Sequence, residues 1–397
     1  MANQILFTPN DNNLGTVKNK VMVGGNNFTG DLATFNGKIF VIDLENLPDP
    51  LNPLNLPPNT LRIKFKSGVT PNKWDDQVLF DEAENIWDIT ITSDDWRWKF
   101  MNENDVLEVL GGNTKNVTDM AQLFDRCDSL TSVTILNTSN VTTMYRMFYS
   151  CDSLTTVNFK DTNKLTDTHE MFEGCISLVT APKFDTSNVT DMEGMFAEDY
   201  SLTSVPLYNT SKVTDMSKMF YKCSSLVTVP LFDTSNVTTM HSMFECVYEG
   251  TSSLTTVPLF NTSKVTDMFS MFENCTSLVS VPLFNTSNVT DFAWMFYNCT
   301  SLQSVPFFDT SKATNMEAMC WKCVSIDYVP LFDTTNVTNM TTTFLYCFKV
   351  TGGALALYQQ ASTQANPPLK HDYCFENCGR DTQTGAAELA QIPNEWK

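Results

Sequence analysis

Apolar positions along the chain recur every 24 residues. A tetrapeptide of the form Val-Thr-Asp-Met, or a close variant, begins at Val117, Val141, Leu165, Val189, Val213, Val237, Val265, Val289, Ala313 and Val337. The step is 24 throughout, except for 28 between Val237 and Val265. The extra residues fall around Cys246 to Ser253, so one loop carries the insertion and the register then resumes. A fixed period of this size is the signature of a solenoid, in which each unit buries its apolar face only against its neighbours.

Each unit divides into apolar columns. Leu202, Val205 and Leu207 share an L-x-x-V-x-L spacing with Leu226, Val229 and Leu231. The last two of each set lie two apart and predict one face of a short strand. After a polar turn, Met216, Met219 and Phe220 fall at i, i+3 and i+4, which predicts one or two helical turns with Thr214 as N-cap and Asp215 in the first turn. The Met and Phe columns are core, since an irregular repeated gap suits methionine. Pro182, Pro206, Pro230, Pro258, Pro282, Pro306 and Pro330 sit inside the presumed strand. Each lacks an N–H, so strands of three or four residues are expected, with proline at the ladder's edge.

The flanks differ. Residues 1–37 are rich in Asn and Gly and read as an arm. Two strands are expected at Lys38–Leu44 and Thr60–Ser67, separated by a stretch with five prolines. A third is expected at Asn85–Ser93, followed by a helix capped at Ser93 or Asp94 and ending at Gly111 and Gly112. The organisation expected is therefore an arm over 1–37, a small α/β module over 38–112 that caps the array, a solenoid over 113–350 and a C-terminal cap over 351–397. At ~5 Å per rung, ten rungs make a right-handed rod about 50 Å long.

Composition narrows the function classes. Hydrophobic residues make up 42% of the 397, enough for a packed core, and the net charge is −20. Such a chain repels phosphate backbones, which argues against a nucleic-acid partner. The N-terminal residues carry no basic and apolar run of the secretory type, and nothing approaches 18 consecutive apolar residues, so neither an export signal nor a membrane span is expected.

The stretches Ser187–Phe196 (SNVTDMEGMF), Lys212–Leu226 (KVTDMSKMFYKCSSL) and Asn288–Pro306 (NVTDFAWMFYNCTSLQSVP) resemble the BspA-type leucine-rich repeats, in the surface-protein subfamily marked by NVTDMSxMFxxCxSL. The resemblance covers about 115–350. It departs at Thr168 and Phe292 in a Met column, Asp199 in the Cys column and Cys320 in the Phe column. It implies an α/β repeat fold, a leucine-rich-repeat-like solenoid of about ten units. The flanking stretches look like those accompanying such repeats in proteins of gut bacteria and their phages. Bacterial members of this type are surface adhesins; with no export signal expected, the resemblance points to a phage-encoded member.

Candidate chemistry is sparse. Cys127, Cys151, Cys175, Cys223, Cys275, Cys299, Cys323 and Cys347 form one column, close enough for disulfides if oxidised but more simply read as small buried thiols. Cys320, Cys323, Cys374 and Cys378 could be written as a zinc set, yet Cys320 and Cys323 merely fill the Phe and Cys columns. Asp119, Asp167, Asp191, Asp215, Asp267 and Asp291 form an acidic column, and Asn137, Asp161, Asp185, Asn209, Asp233 and Asn261 a second. Capping and loop hydrogen bonds account for both more simply than calcium. Neither metal nor cofactor is expected. The three histidines, His169, His241 and His371, occupy unrelated repeat positions, and no nucleophile–base set or phosphate loop emerges, so no enzyme is expected.

One column carries the candidate binding residues: Phe184, Tyr208, Phe232, Phe260, Phe284, Phe308 and Phe332. If the neighbouring leucines face inward, these aromatics form a surface docking ladder; if the chain turns there, they form a buried spine, which is the favoured reading. The function expected is a virion surface or attachment protein of a phage, binding a bacterial surface polysaccharide or protein and held to other virion proteins through its N-terminal region. A purely structural virion component and a bacterial surface adhesin are the alternatives.

Overall fold

Backbone hydrogen bonds pass from every rung to the next, and residues 216–223 show the scheme. The N–H groups of Met216, Lys218, Phe220 and Lys222 donate to the carbonyls of Thr239, His241, Met243 and Glu245, one rung on. Those of Met219, Tyr221 and Cys223 donate back to the carbonyls of Met216, Lys218 and Phe220, closing overlapping turns. Ser217 N–H donates to the Asp215 carboxylate. Every N–H from 216 to 223 is thus used, alternately by the stack and by the turn.

This wall takes left-handed backbone twice in each rung except the one at the insertion, where Ser242 is left-handed and Cys246 is not. Lys218 and Lys222 have φ of 55° and 59°, and the same two columns are left-handed at Arg146 and Ser150, Trp294 and Asn298, and Ala318 and Lys322. The helical turns expected after Val213 are therefore absent, because positive φ at every fourth residue is incompatible with a right-handed helix. Thr214 is no helix cap. Its hydroxyl donates to the Thr190 carbonyl of the rung before.

The structure is a computed structural model and describes residues 32–35, 38–41, 54–71, 76–92, 96–247 and 250–397. It divides into two compact units, Met1–Leu56 and Pro57–Lys397. The expected arm, apart from Leu32–Phe35, and the expected cap at Ser93 or Asp94 lie outside the described residues. In the first unit, β1 (Leu32–Phe35) and β2 (Lys38–Val41) pair antiparallel. In the second, β3 (Thr60–Phe65), β4 (Asp76–Asp81), β5 (Ile86–Thr90), β6 (Val106–Asn113), β7 (Ser132–Asn137) and β8 (Thr156–Lys160) form one sheet in the order β4-β5-β3-β6-β7-β8.

β6 joins the two parts of this sheet, antiparallel to β3 and parallel to β7. It lies where the sequence predicts the end of a helix. Residues 96–102 are instead a degenerate first rung. Trp98 and Asn102 occupy the left-handed columns, both at φ 61°, and the Phe100 ring stacks on Phe124 at 5.4 Å. Gly112 ends no helix; a Cβ there would stand 2.5 Å from a Leu61 methyl, so glycine lets the sheet close.

Proline decides where the parallel ladder stops. β7 and β8 hold Thr134 and Asn158 at the position that becomes Pro182 in the next rung. From Pro182 onward no strand continues, and only the isolated bridge Thr180–Ser204 remains on that face. The short strands expected there are absent among the described residues, because each proline removes a ladder donor. The opposite edge keeps single-residue parallel bridges from Asp119 through every rung to Lys370.

The core is a column of rings. From Phe100 to Phe296, nine phenylalanines stack with centroids 5.4–6.1 Å apart. Met192, Met216 and Met240 line up beside them, each fully buried. At the far end, Lys370–Cys378 forms a further wall. Its Tyr373 and Asn377 are left-handed, and the last full rung donates to its Lys370, Asp372, Cys374 and Glu376 carbonyls. The helices α1 (Ala354–Thr363) and α2 (Gln383–Leu389) pack alongside, and Trp396 closes the column 6.3 Å from Phe375.

Left-handed backbone costs a non-glycine residue about 1–2 kcal/mol, and glycine already stands at position 194 of the first left-handed column. Lys218→Gly should therefore raise stability by about 0.5–1 kcal/mol after the entropy of the unfolded chain is counted, and Gly194→Ala should lower it by about 1 kcal/mol. Chemical denaturation of the two variants checks the pair; shifts in the same direction would contradict the backbone argument.

Candidate interaction surfaces

The aromatic column is interior. Tyr208, Phe232, Phe260, Phe284, Phe308 and Phe332 are buried, and Phe184 is partly so. As a surface ladder these residues are thus corrected; the favoured reading, a buried spine, is what the structure contains. The cause is a tight turn in which Phe232 N–H donates to Pro230 O, repeated at Phe260, Phe284, Phe308 and Phe332. Such a three-residue turn pivots the middle residue outward and swings the aromatic in. Phe232 then lies 6.4 Å from Phe220 of the main stack, and the Tyr208 hydroxyl donates to Pro182 O.

The same pivot expels the neighbouring leucines, which the strand spacing puts on one face with Val205 and its equivalents. Leu207, Leu231, Leu259, Leu283, Phe307 and Leu331 are 51–66% exposed. Six consecutive rungs thus carry an apolar ladder on the surface.

Some outward columns are regular and hydrogen-bonded along the solenoid, while the column from Asp128 through Ile176 and Tyr200 to Val324 varies. Position 140 and its equivalents alternate strictly between Asn and Lys, from Asn140 to Asn336. Lys264 donates to the Asn236 side chain, and Asn236 in turn donates to the Ser211 carbonyl. Alternation spares the stack from adjacent like charges; the 48-residue period was visible in the sequence but passed over in reading by 24. Both acidic columns bind backbone: Asp215 takes Ser217 N–H and Asp233 takes Ser235 N–H.

One face differs. On the turn wall, Tyr145, His169, Glu193, Ser217, His241 and Phe269 succeed one another in one column, and Tyr149, Glu173, Tyr221, Glu273, Tyr297 and Trp321 lie in another. Here side chains change from rung to rung. His169 contacts Glu170 at 3.1 Å, and Glu170 also pairs with Arg146. His241 stacks on Phe269 at 4.9 Å and reaches Asp267 at 3.5 Å. His169 and His241, expected in unrelated repeat positions, in fact share this column, and no residue of the wall was expected as a binding residue, although variation among the repeats was the signal.

All twelve cysteines are free and buried. Each thiol of the main column reaches one rung back, as Cys223 Sγ donates to Phe196 O. Cys374 and Cys378 fill the Met and Cys columns of the final wall. Among the described residues, no three His, Cys, Asp or Glu side chains gather as metal ligands. A cavity of about 310 Å³ lies against the cap, lined by Thr314, Asn315, Thr338, Asn339, Leu369 and Lys370. Asp199 replaces a thiol at full burial, and neither of its oxygens has a hydrogen-bonding partner. Burial pushes its carboxyl well above the usual range, opposed by the nearby Cys175 backbone.

The family described as "Mycoplasma protein of unknown function, DUF285" matches residues 97–203, 153–256 and 245–354, well over half of the sequence. The chain belongs to this family. No curated protein matches this DUF285 chain. Among solved structures, a leucine-rich repeat protein from Bacteroides ovatus is similar at 18% identity and a TM-score of 0.36, covering 75% of this chain and 87% of that one. A leucine-rich repeat protein from Eubacterium ventriosum is similar at 17% identity and a TM-score of 0.36, covering 72% and 87%.

The wall makes stability pH-dependent. Burial pushes the Glu173 and Glu273 carboxyls up to about 7. These folded values exceed that of an unfolded glutamate, so their contribution is complete below about pH 4.3 and is lost as pH rises through about 7. Burial alone would raise Glu170, but His169 and Arg146 hydrogen bonds bring it down to about 2, so its contribution is lost as pH falls through that value. Thermal melts should show stability declining from pH 5 to 8, less steeply in Glu273→Gln. Asp199→Cys should restore the thiol column and gain about 1–3 kcal/mol, more at pH 8 than at pH 4; an equal gain at both would show that Asp199 titrates normally.

Proposed function

We propose that this protein is a non-enzymatic attachment protein whose solenoid is presented on a phage particle to bind a bacterial surface polysaccharide or protein. The observation that carries this reading is the gathering of varied aromatic, histidine and charged side chains on the turn wall, where successive rungs place Tyr145, His169, Glu193, His241 and Phe269 in one column. Uniform columns do the same structural work in every rung. A wall on which Tyr, His, Arg, Glu, Phe and Trp alternate has no such duty, and it has the composition of a recognition surface. The net charge of −20 speaks against nucleic acid as the partner. The virion setting rests on the flanking stretches, which resemble those accompanying such repeats in proteins of gut bacteria and their phages; the N-terminal region would join other virion proteins.

A second reading, a structural virion component, is favoured by the exposed ladder from Leu207 to Leu331, which suits packing against another subunit. A bacterial surface adhesin would use the same wall in a different location. Mass spectrometry of purified particles is expected to find the chain, and the labelled full chain is expected to bind host cells. Particles containing a chain that ignores cells would favour the structural reading; absence from particles would leave the adhesin.

A further inference from the structure

Three aromatic rings on the turn wall are assembled at a local disadvantage. Trp294 stands in a left-handed column, at φ 61°, where the equivalent residue three rungs further back than Ser270 is Gly194. A bulky ring is a poor choice there. Trp321 occupies a column that Ala197 and Leu345 fill without polar atoms, yet its indole N–H is covered and has no hydrogen-bond partner. Packing alone would select neither tryptophan, and violations of local rules concentrate where a protein does its work.

The rings nevertheless form a fixed unit. Trp294 and Trp321 lie 5.8 Å apart and are tilted by 53°, and Tyr297 meets each edge-on at 5.0 Å. Ala318, fully buried, follows Trp294 in the left-handed column, and its small side chain adds no bulk there. Polar side chains rim the rings. Asn298 donates to Asn274 at 3.0 Å, and Lys322 Nζ stands 5.8 Å from the Tyr297 and Trp321 rings.

We propose that the half-buried Trp294 and Trp321 are the floor of a glycan-binding site, with the buried Tyr297 holding them edge-on and Asn298 and Lys322 at the polar edge. A pyranose has an apolar face that stacks on such rings and an edge of hydroxyls that amide and ammonium groups can bond. The rings are held by the rungs before any ligand arrives, so little entropy is lost on binding. This inference deepens the polysaccharide half of the proposed function and rests on it.

The test uses the labelled full chain on immobilised glucan, mannan, galactan and N-acetylglucosamine oligomers. Wild type should bind at least one. Trp294→Gly and Trp321→Leu, which install residues found elsewhere in the same columns, should keep the fold by thermal melt and weaken binding about tenfold. Leu231→Ser, on the exposed apolar ladder, should bind as wild type. Binding that survives both tryptophan substitutions overturns this inference alone. Wild-type binding to none of the four sugars overturns it together with the polysaccharide reading, while protein-mediated attachment to cells would still stand.

Discussion

The stack depends on a row of turn-wall N–H groups that reach forward to the next rung, while Thr214 N–H and its equivalents reach back to the rung before. On the turn wall, every second donor of a rung reaches a carbonyl of the following rung, so hydrogen bonding runs directionally from residue 100 to the final wall at 370–378. Such a ladder leaves unmet carbonyls at its start and unmet donors at its end. Both ends are answered by degenerate rungs: Phe100 and Asn102 donate into the first full unit, and the Lys370–Cys378 wall receives from the last. Terminal units thus satisfy backbone as well as covering the core.

The same geometry sorts the side chains. Left-handed residues in each rung turn the chain so that Met, Met, Phe and Cys face inward, with rings stacking at one-rung spacing. The residues between them face solvent and are released from packing constraint. A prolyl turn does the converse on the opposite face, burying Phe232 and its equivalents while exposing Leu231 and its equivalents. The recognition wall and the apolar ladder are therefore two products of backbone constraint on different faces of one rod.

Deviations within a column are informative because every rung supplies its own control. Asp199 sits among thiols that each donate to a carbonyl, and it makes no comparable bond. Cys320 interrupts the phenylalanine stack, which resumes between Phe344 and Phe375 at 6.0 Å. The insertion near Cys246 removes one left-handed position but keeps the stack: Phe244 still lies on Phe272 at 5.6 Å, and Ser242 still donates to Phe269 O. The loop absorbs the extra length because inter-rung bonds reform on either side of it.

The amino-acid sequence determined the period, the register, the inward Met, Phe and Cys columns and the site of the insertion, since a repeat that buries one face records that face at every turn. It also located β2, β3 and β5 to within a few residues, through alternation and bounding turns. It was ambiguous wherever local spacing fits two geometries. Met216, Met219 and Phe220 share a face of a helix, and equally of overlapping turns with Lys218 left-handed; only hydrogen bonds to the next rung choose between them. The stretch Trp96–Asn102 reads as helix by itself and becomes a rung because Phe100 finds Phe124. The side on which Leu231 and Phe232 emerge likewise follows from a turn seeded by Pro230 and secured by stacking on Phe220. Local pattern supplied the columns, whereas contacts between rungs decided the backbone that carries them and the faces left open to a partner.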